Sequence, residues 1–214
     1  MGRTKIHTGA LLVLITILKN KHLTFGTISC YNISEQLREI KMRVNVKARM
    51  IDTKLRVALY AMTEFVMAKL VPSSRLRNNV SINVHLKHHC EGGEAMLEDY
   101  ANPYRPRDFK VIIDHHRAEI DDYGRERDAT EWAHEILKTL AHELVHVKQY
   151  LTGELQMRAK GLCWRKDVLT SDSTTYEEYF ELPYEIEAYG REKGLLSMFL
   201  IRWTEIEKEL GINF

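Results

Sequence analysis

Apolar residues recur at helical spacing over residues 51–70 (IDTKLRVALYAMTEFVMAKL). This predicts an amphipathic helix capped by Asp52 or Thr53 and stopped by Pro72 with Ser73 and Ser74. The pattern then changes period. Residues 79–86 (NVSINVHL) alternate polar with apolar and predict a half-buried strand, and residues 109–114 (FKVIID) predict a second. Between them, residues 88–106 contain Gly92, Gly93, Pro103 and Pro106, which favour a loop or loose hairpin. The strongest helical pattern follows, over about residues 129–151. Asp128 and Glu131 have the spacing of a capping box, and Trp132, Ile136, Leu140, Leu144 and Val147 continue one apolar face up to Gly153. Residues 155–169 show no single period beyond a short strand around Cys163, and residues 170–175 are polar and loop-like. Pro183 suits the first position of another helix, which runs through Ala188 toward Leu200. Trp203, Ile206 and Leu210 keep helical spacing beyond it, as in a packing helix. Helices and strands in this order predict an α+β fold, without internal repeats or low-complexity tracts.

The chain has 214 residues, 44% of them hydrophobic, enough for one packed domain at residues 46–214 preceded by an extension at residues 1–45. The formal net charge of +1, with acids interleaved among the Lys and Arg residues, points to neither nucleic acid nor an anionic membrane as partner. Cys30, Cys90 and Cys163 are odd in number and far apart, as expected of a reducing, cytoplasmic compartment. Residues 10–18 (ALLVLITIL) form an apolar run too short to span a membrane. The run fits a buried or partner-bound segment, a poor signal sequence, or translation upstream of a true start at Met42 or Met50.

Candidate chemistry lies in the middle of the long helix, at His142-Glu143-Leu144-Val145-His146, an H-E-x-x-H sequence. Side chains four apart stand one above the other on a helix, so both imidazoles reach one metal ion. Glu143 flanks them, placed as general base for a water activated by the metal. The plain alternative is a solvated His/Glu face. A catalytic zinc takes three protein ligands and leaves one position open. No histidine follows His146, and Gln149 and Thr152 replace the residues a metzincin would require, so a downstream third ligand must be an acid or Cys163. On a helix opening at Pro183, Glu185 and Glu187 lie about 200° apart, so only one of them faces the metal. Acids early in a helix also simply favour its dipole.

The H-E-L-V-H element and a downstream Glu187-Ala188 on a second helix resemble the gluzincin type of metallopeptidase. More closely, Trp164 followed by Pro183-Tyr184-Glu185-Ile186-Glu187-Ala188 is similar to the small SprT-like H-E-x-x-H domains of bacteriophages; ImmA/IrrE peptidases share the helix pair and the E-A element. The resemblance covers roughly residues 50–200. It implies a zincin-like fold, with the metal between two helices and a sheet edge beside the cleft, and a phage protein in the host cytoplasm. Motif resemblance and the small Ala188 together favour Glu187 over Glu185 as third ligand. The N-E-x-x-S-D signature of peptidase gluzincins is absent, and Arg191 stands four residues after Glu187.

The expected activity is zinc-dependent hydrolysis of a polypeptide substrate, with metal on His142, His146 and Glu187 and Glu143 as base. The alternative is a non-catalytic phage assembly or host-interaction module in which zinc knits the helices together, with Cys163 as fourth ligand. Tyr176, Tyr179, Tyr184 and Tyr189 surround the third ligand, where one hydroxyl could steady an oxyanion, although core or rim packing explains most of them. His85, His88, His89 and Cys90 read as a strand end and loop, and His115 with His116 as a loop after the second strand. Oligomeric state is left open.

Overall fold

In the stretch Ser81–Lys87 every second residue is apolar, and Ile82, Val84 and Leu86 are buried while the residues between them keep part of their surface. A strand with one apolar face needs a cover on that face alone. Two long helices supply it. In the computed structural model, residues 42–48, 51–88, 92–98, 104, 106–169 and 175–210 are described, with side chains as far as residue 205. The elements are β1 (Arg43–Lys47), α1 (Thr53–Leu70), the short α2 (Ser74–Arg77), β2 (Ser81–Lys87), β3 (Gly93–Leu97) and β4 (Asp108–Asp114). They continue with α3 (Ala129–Thr152), β5 (Leu155–Arg158), β6 (Gly161–Trp164), β7 (Asp167–Val168), α4 (Tyr176–Glu181) and α5 (Pro183–Leu210). Five helices and two small sheets among the described residues make the chain mixed α+β.

The main sheet has the order β1-β2-β4-β3. β1, β2 and β4 are parallel, and β3 runs antiparallel to β4 at the edge, with Gly93 opposite Ile113 and Leu97 opposite Phe109. Phe109, Val111 and Ile113 of β4 join Ile82 and Val84 of β2 under Leu59, Met62 and Val66 of α1 and Ile136, Leu140 and Leu144 of α3. Each such side chain contributes about 1.5–3 kcal/mol by leaving water. α5 lies along α3 and adds Ala188, Leu195, Phe199 and Trp203 to the same core. The second sheet, β5-β6-β7, is an antiparallel meander directly after α3.

The expected helices and the two expected strands are present. Asp52 caps α1, accepting from the Leu55 backbone N–H at 2.6 Å. β1 is an addition, and it spans the boundary expected between residues 45 and 46. β3 turns part of the expected loop into the edge strand, and α4 precedes α5. The apolar run at residues 10–18, Cys30, Met50, His89, Cys90 and residues 170–174 lie outside the described residues. No helix among the described residues is long and apolar enough to cross a membrane.

Candidate metal centre

α3 begins with the capping box seen in the sequence. The Asp128 side chain accepts from the Thr130 and Glu131 backbone N–H groups at 2.8 Å each, and Glu131 accepts from the Asp128 N–H at 3.1 Å. It ends at Gly153, whose φ of 76° is the left-handed conformation that glycine adopts without strain. Between these ends the helix passes through the interior, and every residue from Leu140 to Gln149 is buried. Five of those ten are polar: His142, Glu143, His146, Lys148 and Gln149. Buried polar groups need partners, and the partners come largely from α5.

His142 and His146, one turn apart, bring their Nε2 atoms to 3.2 Å of each other. Glu185, from the first turn of α5, sets Oε2 3.2 Å from His142 Nε2 and Oε1 3.5 Å from His146 Nε2. All three residues are buried, and their donor atoms form a group that could hold a metal ion. The spacing fits one. Metal bonds of about 2.0–2.1 Å at tetrahedral angles put ligand atoms about 3.3–3.4 Å apart. Two imidazole nitrogens and a carboxylate oxygen are also a donor set suited to a divalent transition metal.

Each imidazole is held from behind. His142 Nδ1 lies 3.0 Å from Glu192 Oε2, and His146 Nδ1 lies 2.9 Å from Gln149 Oε1. The Tyr189 ring meets the His142 ring edge to face at 4.5 Å, and the Tyr184 ring meets that of His146 at 5.9 Å. Tyr179 hydrogen-bonds to Glu185. Burial works against charge on both imidazoles, but hydrogen bonds with Glu185, joined by Glu192 at His142, outweigh it and raise both pKa values. The Glu185 carboxyl is correspondingly held below its ordinary range, the imidazoles overcoming the effect of burial.

Glu143 lies beside the triad and outside it. Burial pushes its carboxyl up to about 7, against the pull of His146 and His142. It sits against the edge strand. A Cβ on Gly93, the first residue of β3, would collide with Glu143 Oε1 and come within 2.7 Å of Thr139 Cγ2. The absence of a side chain at 93 therefore lets the backbone of the edge strand approach the carboxylate.

The structure brings His142, His146 and Glu143 close together and sets Glu185, the other acid open to this place, beside the two imidazoles, while Glu187 lies elsewhere. The reason is helical phase. The inward face of α5 runs Glu185, Ala188, Glu192, Leu195, Phe199, in steps of three and four, and Glu187 falls to its flank. There Glu187 accepts from Lys148 Nζ at 2.9 Å and Gln149 Nε2 at 3.1 Å, and pairs with Arg191 at 3.0 Å. Extending the apolar phase of Phe199, Leu195 and Ala188 backward reaches Glu192 and Glu185 directly. Glu192 and Gln149 were not anticipated as supports for the imidazoles, and the first is visible in that phase. Ala188 does allow the close approach expected of it, being wholly buried.

Cys163 is buried in β6, its thiol directed to the Gly161 carbonyl at 3.6 Å, and it is not among the grouped donors. His85 lies within β2, while His88 stacks on His115 at 6.1 Å and meets His116 edge-on at 4.5 Å, at the ends of β2 and β4. The aromatic residues of α4 and α5 form a continuous series, with Phe180 5.1 Å from Tyr189 and 5.0 Å from Tyr176. No family model, curated protein or solved structure matches the chain.

Proposed function

We propose that the chain is a zinc-dependent metallopeptidase of zincin-like fold, with His142, His146 and Glu185 as metal ligands and Glu143 as general base. The observation that carries this reading is the convergence of three buried donor atoms at separations of 3.2–3.5 Å, beside a fourth group that is titratable and stands apart. Zinc bound there would supply a Lewis acid that lowers the pKa of a water and polarises a carbonyl. The rest falls to the chain. Glu143, with its carboxyl pushed up to about 7 in a buried setting, is suited to take a proton and return it to a leaving amine. Three protein ligands leave a fourth position for reaction, and no further donor joins the triad among the described residues.

A polypeptide is the substrate this arrangement favours. β3 is the edge of the main sheet, and its first residue lies against Glu143. An extended chain adding to that edge would gain backbone hydrogen bonds and pass the site. The likeness to SprT-like and ImmA/IrrE peptidases belongs to this proposal and draws support from the helix pair that carries the triad. The rival reading, a closed zinc site that only knits helices together, expects Cys163 as fourth ligand, and Cys163 is not among the donors grouped with the triad.

Zinc-loaded wild type and Glu143→Gln, incubated with casein and with a library of unstructured peptides, test the proposal. The variant is expected to keep its zinc and lose roughly 100-fold or more of the cleavage rate. Equal rates in the two proteins would refute the role of Glu143, and absence of cleavage by the wild type across the library would refute the peptidase.

A further inference from the structure

Gln149 is wholly buried beside the candidate ligand His146. Its amide is fixed at both ends. One end lies 2.9 Å from the Tyr184 carbonyl oxygen and 3.1 Å from Glu187 Oε2. Both of those atoms can only accept, so that end must be the NH2 group, and each of its two protons has a partner. The other end is therefore the amide oxygen, and it faces His146 Nδ1 at 2.9 Å. An oxygen there demands a proton on Nδ1. In the neutral ring, that proton leaves the lone pair on Nε2, the atom directed at His142 and Glu185.

We propose that Gln149 is a positioning residue that selects the Nδ1–H tautomer of His146 and so presents the Nε2 lone pair to the metal site. Glu187 and the Tyr184 carbonyl act one step further out, by preventing the amide from turning over. Glu187 is itself held by Lys148 at 2.9 Å and Arg191 at 3.0 Å, and Lys148 is anchored in turn by Glu154 at 2.9 Å. The chain of contacts thus runs from the turn after α3, through both helices, to one ring nitrogen. His142 reaches the same tautomer by a different route, because Glu192 is a carboxylate and accepts whichever way it turns. The two ligands are therefore not equivalent: orientation at His146 depends on an amide that has a wrong way round. Partners that orient a ligand in this manner typically change metal affinity by about 10–100-fold when removed.

The geometry stands without a metal, and its consequence for affinity rests on the proposed metal site. The test uses the full chain labelled with 15N in its histidine rings. Two-bond 1H–15N spectra of the metal-free protein, recorded above the imidazole titrations, report the tautomer of His146. Zinc affinity is measured in parallel by competition with a chelator. Wild type is expected to show the Nδ1–H form. Gln149→Met should mix the tautomers and raise the zinc dissociation constant at least about tenfold, and Glu187→Ala should move both readouts in the same direction by less. An Nε2–H ring in the wild type, or an unchanged ring in Gln149→Met, would overturn the proposal; the wild-type spectrum decides even if that variant does not fold. A wild type that shows the expected tautomer and takes up no zinc would uphold the role of Gln149 and sink the metallopeptidase reading, so the two fail separately.

Discussion

The proposed role sets opposite demands on Glu143: it lies buried beside two imidazoles that could hold a cation, and it would still have to gain and lose a proton. Desolvation raises its pKa to about 7 from an ordinary value of 4.5, and a cation on the neighbouring ligands would lower it again. A base works when deprotonated, so cleavage should rise with pH through that value. The acid limb of the kcat/KM profile is expected between about 4.5 and 7, and a limb unaltered by Glu143→Gln in any residual activity would contradict the assignment. Gly93 is tied to the same atom. Gly93→Ala places a methyl group against the Glu143 carboxylate. Shifting β3 or the carboxylate to relieve the clash should destabilise the protein by about 1–3 kcal/mol, readable in a urea melt, and reduce cleavage further than that loss of folding explains. A melt indistinguishable from wild type would show that the contact yields easily. At this scale, the H-E-x-x-H spacing makes His142, Glu143 and His146 of the candidate site legible directly. The motif likeness favours Glu187-Ala188, while the phase of the apolar face leads to Glu185, the acid that the structure sets beside the imidazoles.

Elements fix these residues in space. α3 can bury a carboxylate, two imidazoles, an amine and an amide in its centre because its ends are well closed and its neighbours supply partners. Asp128→Ala removes the acceptor for two backbone N–H groups and should cost about 1 kcal/mol, measurable by denaturant unfolding. No change would mean the capping box is redundant in the folded protein. α5 approaches α3 at Ala188, and a larger residue there would lever Glu185 away. What was legible among the elements follows from length and period: α1, α3, β2 and β4 each have a sustained pattern with a recognisable stop. β1 and β3 are five residues each, too short to show a sustained alternation with a recognisable stop. α4, at six residues, is likewise too short to show a period.

For the whole molecule, the candidate site is a junction between α3, α5 and the edge of the sheet, so metal bound there would couple to folding. Without metal, the imidazole–carboxylate cluster itself steadies the fold. His142 titrates above its ordinary value when folded, so its contribution is complete below the unfolded value of 6.5 and fades as pH rises through the raised one. Glu185 titrates below its ordinary value, so its contribution holds above 4.5 and fades as pH falls through the depressed one. Zinc bound as proposed would have to displace the protons that the imidazoles hold. Binding should therefore release protons, and apparent affinity should rise with pH across the neutral range, as calorimetry in buffers of different ionisation enthalpy would show; a pH-independent affinity would contradict the ligand assignment.

Glu64 of α1, outside the candidate site, has a buried Oε1 without a hydrogen-bond partner, and burial pushes its pKa up to about 7 despite Arg77. Its charge costs stability increasingly as pH rises from 4.5 through that value. Glu64→Gln should raise stability at pH 8 by on the order of 1–2 kcal/mol and leave it unchanged at pH 4; an equal effect at both would rule out ionisation as the cause.

The most direct measurement is the equilibrium zinc content of wild type, Glu185→Gln and Glu187→Gln, dialysed side by side against the same buffered zinc and weighed by native mass spectrometry. The account predicts one zinc per chain in wild type and in Glu187→Gln, and loss of it in Glu185→Gln. Retention by Glu185→Gln with loss from Glu187→Gln, or no zinc in the wild type, would contradict it.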